Sequence, residues 1–376
     1  MHDPLPRKIS RTTHGDVMPS ADVVVVGGGI AGLTTALAVA ERRHRVLVLD
    51  QPRRGSASRA AAGMLAPSVE GLPGNVLSSA VAARDFYPEF LARLADRANV
   101  LVTLDRRGIL ELARTVADLE SFANRAASSA QVLDAPALQQ IEPELTGHAG
   151  AVMHPYDGAV DNVALMLALD VAVSREPRIE RVEAAVDTIA FAGEGATVIT
   201  ASTGRVACGH VVLAPGAWVA GIMGLPRSIP VRPVRGQLLL LAAGALRHVT
   251  YGGGGYLVPR GNGLVIGATS EEAGFECQPS EAGRSALLAI ARAVGPRLIA
   301  APVLDHWAGM RPMSPDSLPI IGADPHVPAL IYACGFSRNG ILLAPWASSH
   351  LATLISHGFA PDVLKPFAVD RFVGKQ

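Results

Sequence analysis

Asp22-Val-Val-Val-Val-Gly-Gly-Gly-Ile-Ala-Gly32 is the stretch on which the fold turns. Residues 22–26 form a short, continuous β-branched run, the pattern of a parallel strand buried on both faces. Gly27, Gly29 and Gly32 then fall in the spacing G-x-G-x-x-G. One glycine makes a tight turn, one lets the backbone approach a pyrophosphate, and one permits close helix–strand packing. Residues 33–43 are rich in Ala and Leu and are helix-prone. Arg45-Val-Leu-Val-Leu-Asp50 reads as a second strand ending on an acid. The whole predicts a βαβ unit whose helix N-terminus offers N–H donors and a positive dipole end to a diphosphate. Asp50 stands where a carboxylate binds ribose hydroxyls, which disfavours a 2′-phosphate and so NADP. The fingerprint alone does not separate FAD from NAD.

Outward from this unit, 376 residues exceed one compact core and predict two domains. Lys plus Arg equals Asp plus Glu at 33 each, so the formal net charge is zero. A neutral chain with 5% aromatic residues argues against nucleic acid and anionic membranes as partners. Apolar runs are strand-length, so no membrane-spanning helix is expected. The first 20 residues are polar and lack the apolar centre of a signal peptide. Residues 1–18 are expected to be a flexible extension, with Met18 an alternative start. Cys208, Cys277 and Cys334 make no CxxC pair and fit a reducing cytoplasm. The eleven histidines show no HExxH pattern, and no metal site is expected. Helices are predicted over 76–98 and onward to about 140, over 160–173 after Asp161, over 280–294 and over 341–357. Strand patterns cover 182–213, 237–241, 256–259 and 264–267.

Further motifs follow in order. They are Ser58-Arg-Ala-Ala-Ala-Gly-Met-Leu-Ala-Pro67, Val211-Val-Leu-Ala-Pro-Gly-Ala-Trp218 and Pro233-Val-Arg-Gly-Gln237. Tyr256-Leu-Val-Pro-Arg260 with Gly267-Ala-Thr269, Trp307-Ala-Gly-Met-Arg-Pro312 and Gly335-Phe-Ser-Arg-Asn-Gly-Ile-Leu-Leu-Ala-Pro345 complete the set. Together with the fingerprint, the chain resembles the D-amino-acid oxidase superfamily of FAD enzymes, and within it bacterial glycine oxidase of thiamine biosynthesis.

The resemblance implies an α/β plus β fold: a Rossmann-like three-layer FAD-binding domain and a substrate domain on a large mixed or antiparallel sheet. The FAD domain would take 19–94, 155–225 and 307–371, and the substrate domain 95–154 and 226–306. It also implies cofactor contacts. Gly27, Gly29, Ile30, Ala31 and Gly32 would lie at the pyrophosphate, with Asp50 and Gln51 at the adenosine ribose. Val186 would meet adenine through its backbone. Ala57, Ser58, Ala62, Gly63 and Met64 would run along the ribityl and flavin side. Phe336, Ser337, Arg338, Asn339, Gly340, Ile341 and Leu342 would bring a helix N-terminus to the flavin, where it stabilises negative charge.

A guanidinium fork matches a carboxylate bidentately, and the family places its substrate-carboxylate arginine at Arg311. Tyr256 would add a hydroxyl hydrogen bond, and Arg338 would be a second substrate-proximal arginine. No cysteine follows the Arg-Pro through residue 319, so non-covalent FAD is expected. The sequence departs from the family at Gly252-Gly-Gly-Gly255, where polar residues are usual, and at Ser270. The implied activity is oxidative deamination of glycine, sarcosine or small D-amino acids by hydride transfer to flavin N5. The products would be an imine, then the 2-oxo acid (glyoxylate from glycine), ammonia and, with oxygen as acceptor, hydrogen peroxide. Supply of the glycine imine for the thiamine thiazole, a cytoplasmic location and a homo-oligomer (a tetramer) are implied as well. The alternative is a D-amino-acid dehydrogenase that passes electrons to a quinone or another acceptor.

Overall fold

The structure is a computed structural model that describes residues 21–372 apart from 201, 203 and 245. The expectations for residues 1–18 and Met18 lie outside the described residues. Strand β1 (Ala21–Val26) leads into helix α1 (Ile30–Glu41) and strand β2 (Val46–Asp50). β1 pairs in parallel with β2 on one side and with the end of the strand Gly204–Leu213 on the other. Val23 and Val25 enter one hydrophobic core, shared with α1 and the helix Gly340–His357, while Val24 and Val26 enter another. The β-branched run is therefore buried on both faces, as its lack of alternation requires.

The sheet has eight strands. Ile179–Glu183 extends it beyond β2, and Leu330–Cys334 joins Gly204–Leu213 in parallel. The antiparallel strands Val186–Ala192 and Gly195–Thr200 continue it from the first half of Gly204–Leu213. This is the Rossmann-type layer of the fold. The helix Asn162–Arg175 that packs here is capped by Asp161, whose side chain accepts from Val163 N and Ala164 N at 3.0 and 3.1 Å.

The second sheet also has eight strands, and its order begins Val303–Met313, Arg232–Leu241, Gly263–Gly267, Gly255–Arg260, Val249–Gly252. It is antiparallel except where Val249–Gly252 runs parallel to Ile109–Ala113. One face packs Leu239, Leu257 and Ile266 against the helix Glu281–Val294. The other packs Leu238, Val258 and Val265 against Ala62, Ala66 and Val69, the small-residue segment of the first half. Period-two alternation thus gives this sheet two cores, one of which adjoins the site.

One expectation is corrected. The stretch to residue 140 is not continuous helix. The helix Gly74–Ala98 stops at Asn99, which takes φ 51°, a left-handed end that terminates helices. Ile109–Ala113 is instead a fully buried strand, and Gln131–Asp134 an edge strand beside Gly150–His154. Long-range pairing outweighs local helix preference there. The strand Val303–Met313 belongs to the second sheet, and Arg311 stands on it. Among the described residues no helix is long and apolar enough to cross a membrane, and no cluster of His, Cys, Asp and Glu could hold a metal ion.

Candidate active site

The chain leaves β1 through Gly27, with φ +107°, where a Cβ would lie 2.3 Å from Ala214 O. A Cβ on Gly28 would lie 2.3 Å from Asp50 Oδ2. The turn can therefore press against the end of β2 only as glycine. Asp50 Oδ1 accepts from Gly28 N at 2.8 Å, and Oδ2 accepts from Arg181 Nη2 at 2.7 Å. α1 has Gly29 as its N-cap, with no side-chain cap, and Ile30 N donates to Ser58 Oγ at 3.0 Å. Such a helix start, with first-turn N–H groups that have no intrahelical acceptor, is an anion site.

A cavity of about 830 Å³ opens here, lined by residues of both sheets. That is toward the upper end of the roughly 300–1,000 Å³ usual for small-molecule and cofactor sites. Gly27, Gly29, Ile30 and Ala31 line it with Asp50, Gln51 and Val186. Ala57, Ser58, Ala62, Gly63 and Met64 line it as well, and so do Phe336, Ser337, Arg338, Gly340 and Ile341. Gly32, Asn339 and Leu342 do not. A Cβ on Gly32 would lie 1.9 Å from Gly27 O, so Gly32 serves the packing of α1 on the turn. Leu342 is in the core, and Asn339 is the N-cap of the helix Gly340–His357.

The small-residue segment is clamped onto the strand that carries Arg311. Met310 N donates to Gly55 O at 2.8 Å, and Trp307 Nε1 to Ala60 O at 2.9 Å. A Cβ on Gly309 would lie 2.6 Å from Ala60 Cβ, which accounts for the glycine in Trp-Ala-Gly-Met-Arg-Pro. On the far side Arg260 Nη2 donates to Ala62 O at 2.7 Å. Ser337 N donates to Pro312 O at 2.9 Å and ties the last motif to the same strand.

Arg311, Tyr256 and Arg338 share this cavity. Arg311 Nη1 donates to Thr269 O at 2.9 Å, and among the described residues no carboxylate forms an ion pair with it. Burial pulls its pKa below the usual guanidinium range, against the pull of Tyr256. A half-buried cation without a counter-ion is costly unless a ligand brings one. Burial pushes the Tyr256 hydroxyl above the usual phenol range, with Arg311 and Arg338 opposing, so Tyr256 is a neutral donor at ordinary pH. Glycines make room for both. A Cβ on Gly236 would lie 2.5 Å from the Arg311 guanidinium, and one on Gly267 would lie 2.4 Å from the Tyr256 ring and hydroxyl. Arg338 Nη2 donates to Glu70 Oε1 at 3.1 Å. Burial raises the Glu70 carboxyl above its ordinary range, while Arg338 and Arg311 lower it.

The glycine turn, the helix start without a side-chain cap and the cavity of about 830 Å³ have the donors and the room for a dinucleotide. The family model described as FAD dependent oxidoreductase (DAO) matches residues 22–354. The chain belongs to the DAO family of FAD dependent oxidoreductases. It is 32% identical over 371 residues to glycine oxidase of Geobacillus kaustophilus, covering 94% of this chain and 98% of that one. The crystal structure of that oxidase superposes with a TM-score of 0.88, over 94% of this chain and 100% of the other. The bifunctional protein ThiO/ThiG of Trichormus variabilis is 32% identical over 364 residues, which cover 93% of this chain. The chain spans about half the length, 55%, of that relative.

Family membership also frames what the sequence did not disclose. Arg181, Glu70 and Tyr251 line the cavity, and none lies in a motif. Gly236 and Gly267 stood in quoted motifs without a role, because their use depends on side chains from other strands. The Gly252-to-Gly255 stretch is a hairpin. Gly252 pairs with Gly255, and Gly253 and Gly254 make the two-residue turn at φ +64° and +85°. Positive φ at both turn positions is the demand that selects glycine in such hairpins.

Proposed function

We propose that the chain oxidises glycine or another small amine, such as sarcosine or a small D-amino acid, with oxygen and water, giving the 2-oxo acid, ammonia (methylamine from sarcosine) and hydrogen peroxide. The observation that carries this reading is Arg311. It is a half-buried guanidinium without a carboxylate partner among the described residues, and it shares the cavity with the neutral hydroxyl donor Tyr256. That pair suits a monocarboxylate ligand, held bidentately and fixed in orientation. FAD, when bound, supplies the two-electron acceptor for the Cα–H hydride. Gly27, Gly29, Ile30 and Ala31 with Asp50, Gln51 and Val186 would hold its nucleotide part. Ala57, Ser58, Ala62, Gly63 and Met64, with the loop from Phe336 to Ile341, would hold the flavin part. Arg311 and Tyr256 would hold the substrate carboxylate, with Arg338 beside it.

FAD is taken as non-covalent. The thiol on the cavity wall, Cys334, is pushed up to about 12 by burial and is a poor nucleophile at neutral pH. The proposal includes a discontinuous FAD domain and a substrate domain built on the second sheet. It also includes a cytoplasmic homo-oligomer and a part in making the thiamine thiazole, all by likeness to glycine oxidase.

The test is kcat/KM in air for glycine, sarcosine, D-alanine, D-phenylalanine and L-alanine, with peroxide as the readout. Glycine or sarcosine is expected to lead and L-alanine to be nearly inert. D-phenylalanine ahead of glycine by about tenfold would remove the small-amine assignment, since a hydrophobic pocket discriminates by only about 1–3 kcal/mol per methylene. Flavin bleaching by amine without peroxide in air would replace the oxidase with the dehydrogenase.

A further inference from the structure

Glu70 lines the cavity with Arg311, Tyr256 and Arg338, and the reaction as described uses no carboxylate of the protein. Its Oε1 accepts from Arg338 at 3.1 Å, while Oε2 takes no hydrogen bond from any described residue. The other acids on this wall are engaged or placed elsewhere. Asp50 is held by Gly28 and Arg181, and Asp187 follows Val186 on the first sheet. Glu70 is close enough to Arg311 as well as Arg338 to feel both charges.

The backbone behind Glu70 is braced. Asp157, which is fully buried, accepts from Ser68 N at 2.9 Å, Ser68 Oγ at 3.0 Å and Arg84 Nη1 at 3.0 Å. Glu70 N donates to Ala66 O at 3.2 Å. The carboxylate is thus carried on a fixed segment, as recognition requires.

The charges at this end do not balance by themselves. Arg311 and Arg338 bring two positive charges, and Glu70 brings one negative. A ligand carboxylate answers Arg311. The amine of an α-amino acid sits one carbon away and needs an acceptor of its own. We propose that Glu70 is the amine-recognition residue, so that the site reads an α-amino acid at both ends: Arg311 and Tyr256 take the carboxylate, and Glu70 Oε2 accepts from the amino group. This rests on the functional reading above and deepens it. Glu70 is then the residue that selects an amine on the carbon next to the carboxylate over simple carboxylates and 2-hydroxy acids. Burial holds the Glu70 carboxyl above its ordinary range, as befits an acid whose second partner arrives with the ligand.

The test uses the FAD-loaded enzyme and two ligands, glycine (by KM) and acetate (by Ki against glycine, and by titration of the flavin absorbance). Glu70→Gln is expected to raise the glycine KM by about tenfold or more, the scale of a lost charge-assisted hydrogen bond. Acetate should bind as well or better, because a negative charge has left the pocket. Glu70→Asp keeps the charge and should lie between Glu70→Gln and wild type in the glycine-to-acetate ratio. A merely structural role would weaken both ligands together. Parallel weakening, or an unchanged glycine KM in Glu70→Gln, overturns the inference and leaves the functional reading intact. A wild-type enzyme that neither oxidises an amino acid nor binds acetate overturns that reading, and this inference with it.

Discussion

Gly236 has no side chain, yet it decides where Arg311 can be. The Arg311 guanidinium occupies the space that a Cβ on Gly236 would fill, at 2.5 Å. Gly236→Ala meets only the far end of a flexible side chain, so the fold should survive while the fork is displaced. Misplacement of a positioning group by about 1 Å can cost 100-fold in rate. The variant is therefore expected to keep its FAD and lose at least about tenfold in kcat/KM for glycine; a value within about threefold of wild type would contradict this geometry. Arg311→Ala should lose more, roughly 30- to 4,000-fold, the equivalent of about 2–5 kcal/mol for one partner of a buried charge pair. Arg311→Lys should also be poor, because the planar fork is gone. Arg311 and Tyr256 were legible in the sequence because each sits in a motif. Gly236, Gly267 and Glu70 were not, because what each one meets is contributed by a distant part of the chain.

Among the elements, β1 and β2 were legible to within a residue and α1 to within three, since a β-branched run, a glycine turn and an acid-ended strand each carry a local reason. The region around 109–134 was not, because the strand Ile109–Ala113 is settled by neighbours far away in sequence. The four-glycine stretch before Tyr256 is a tight hairpin that fixes Tyr251 opposite Tyr256. Its two turn glycines differ in their surroundings. A Cβ on Gly253 would lie 3.0 Å from Ala293 Cβ and 3.2 Å from Ile290 O, while one on Gly254 would meet nothing within 4 Å. Gly254→Asn should be nearly neutral, since Asn tolerates left-handed backbone. Gly253→Val should cost about 1–2 kcal/mol from handedness alone, and more from contact with the helix Glu281–Val294. Denaturant midpoints of the two variants measure the difference, and equal midpoints would refute the distinction.

At the scale of the molecule, the cavity lies where residues of both sheets meet, and its walls bind the two halves together. Gly55 and Ala60 of the first half bond Met310 and Trp307 of the second sheet, and Pro312 bonds Ser337. A dinucleotide filling that space touches both halves, so binding it stabilises the native state by mass action. The gain is about 2.7 kcal/mol at a free FAD concentration 100 times Kd, which for a chain of this size is a shift of a few degrees in Tm. Stripped protein titrated with FAD should therefore show a Tm that climbs with the logarithm of its concentration. Arg311→Ala should show the same climb, because Arg311 is assigned to the substrate and not to the nucleotide. Acid precipitation should leave the yellow colour in the supernatant, since the thiol on this wall, Cys334, is buried and pushed up to about 12. A Tm indifferent to FAD would remove the cavity as its site, and flavin that stays with the precipitated polypeptide would mean a covalent bond these residues do not provide.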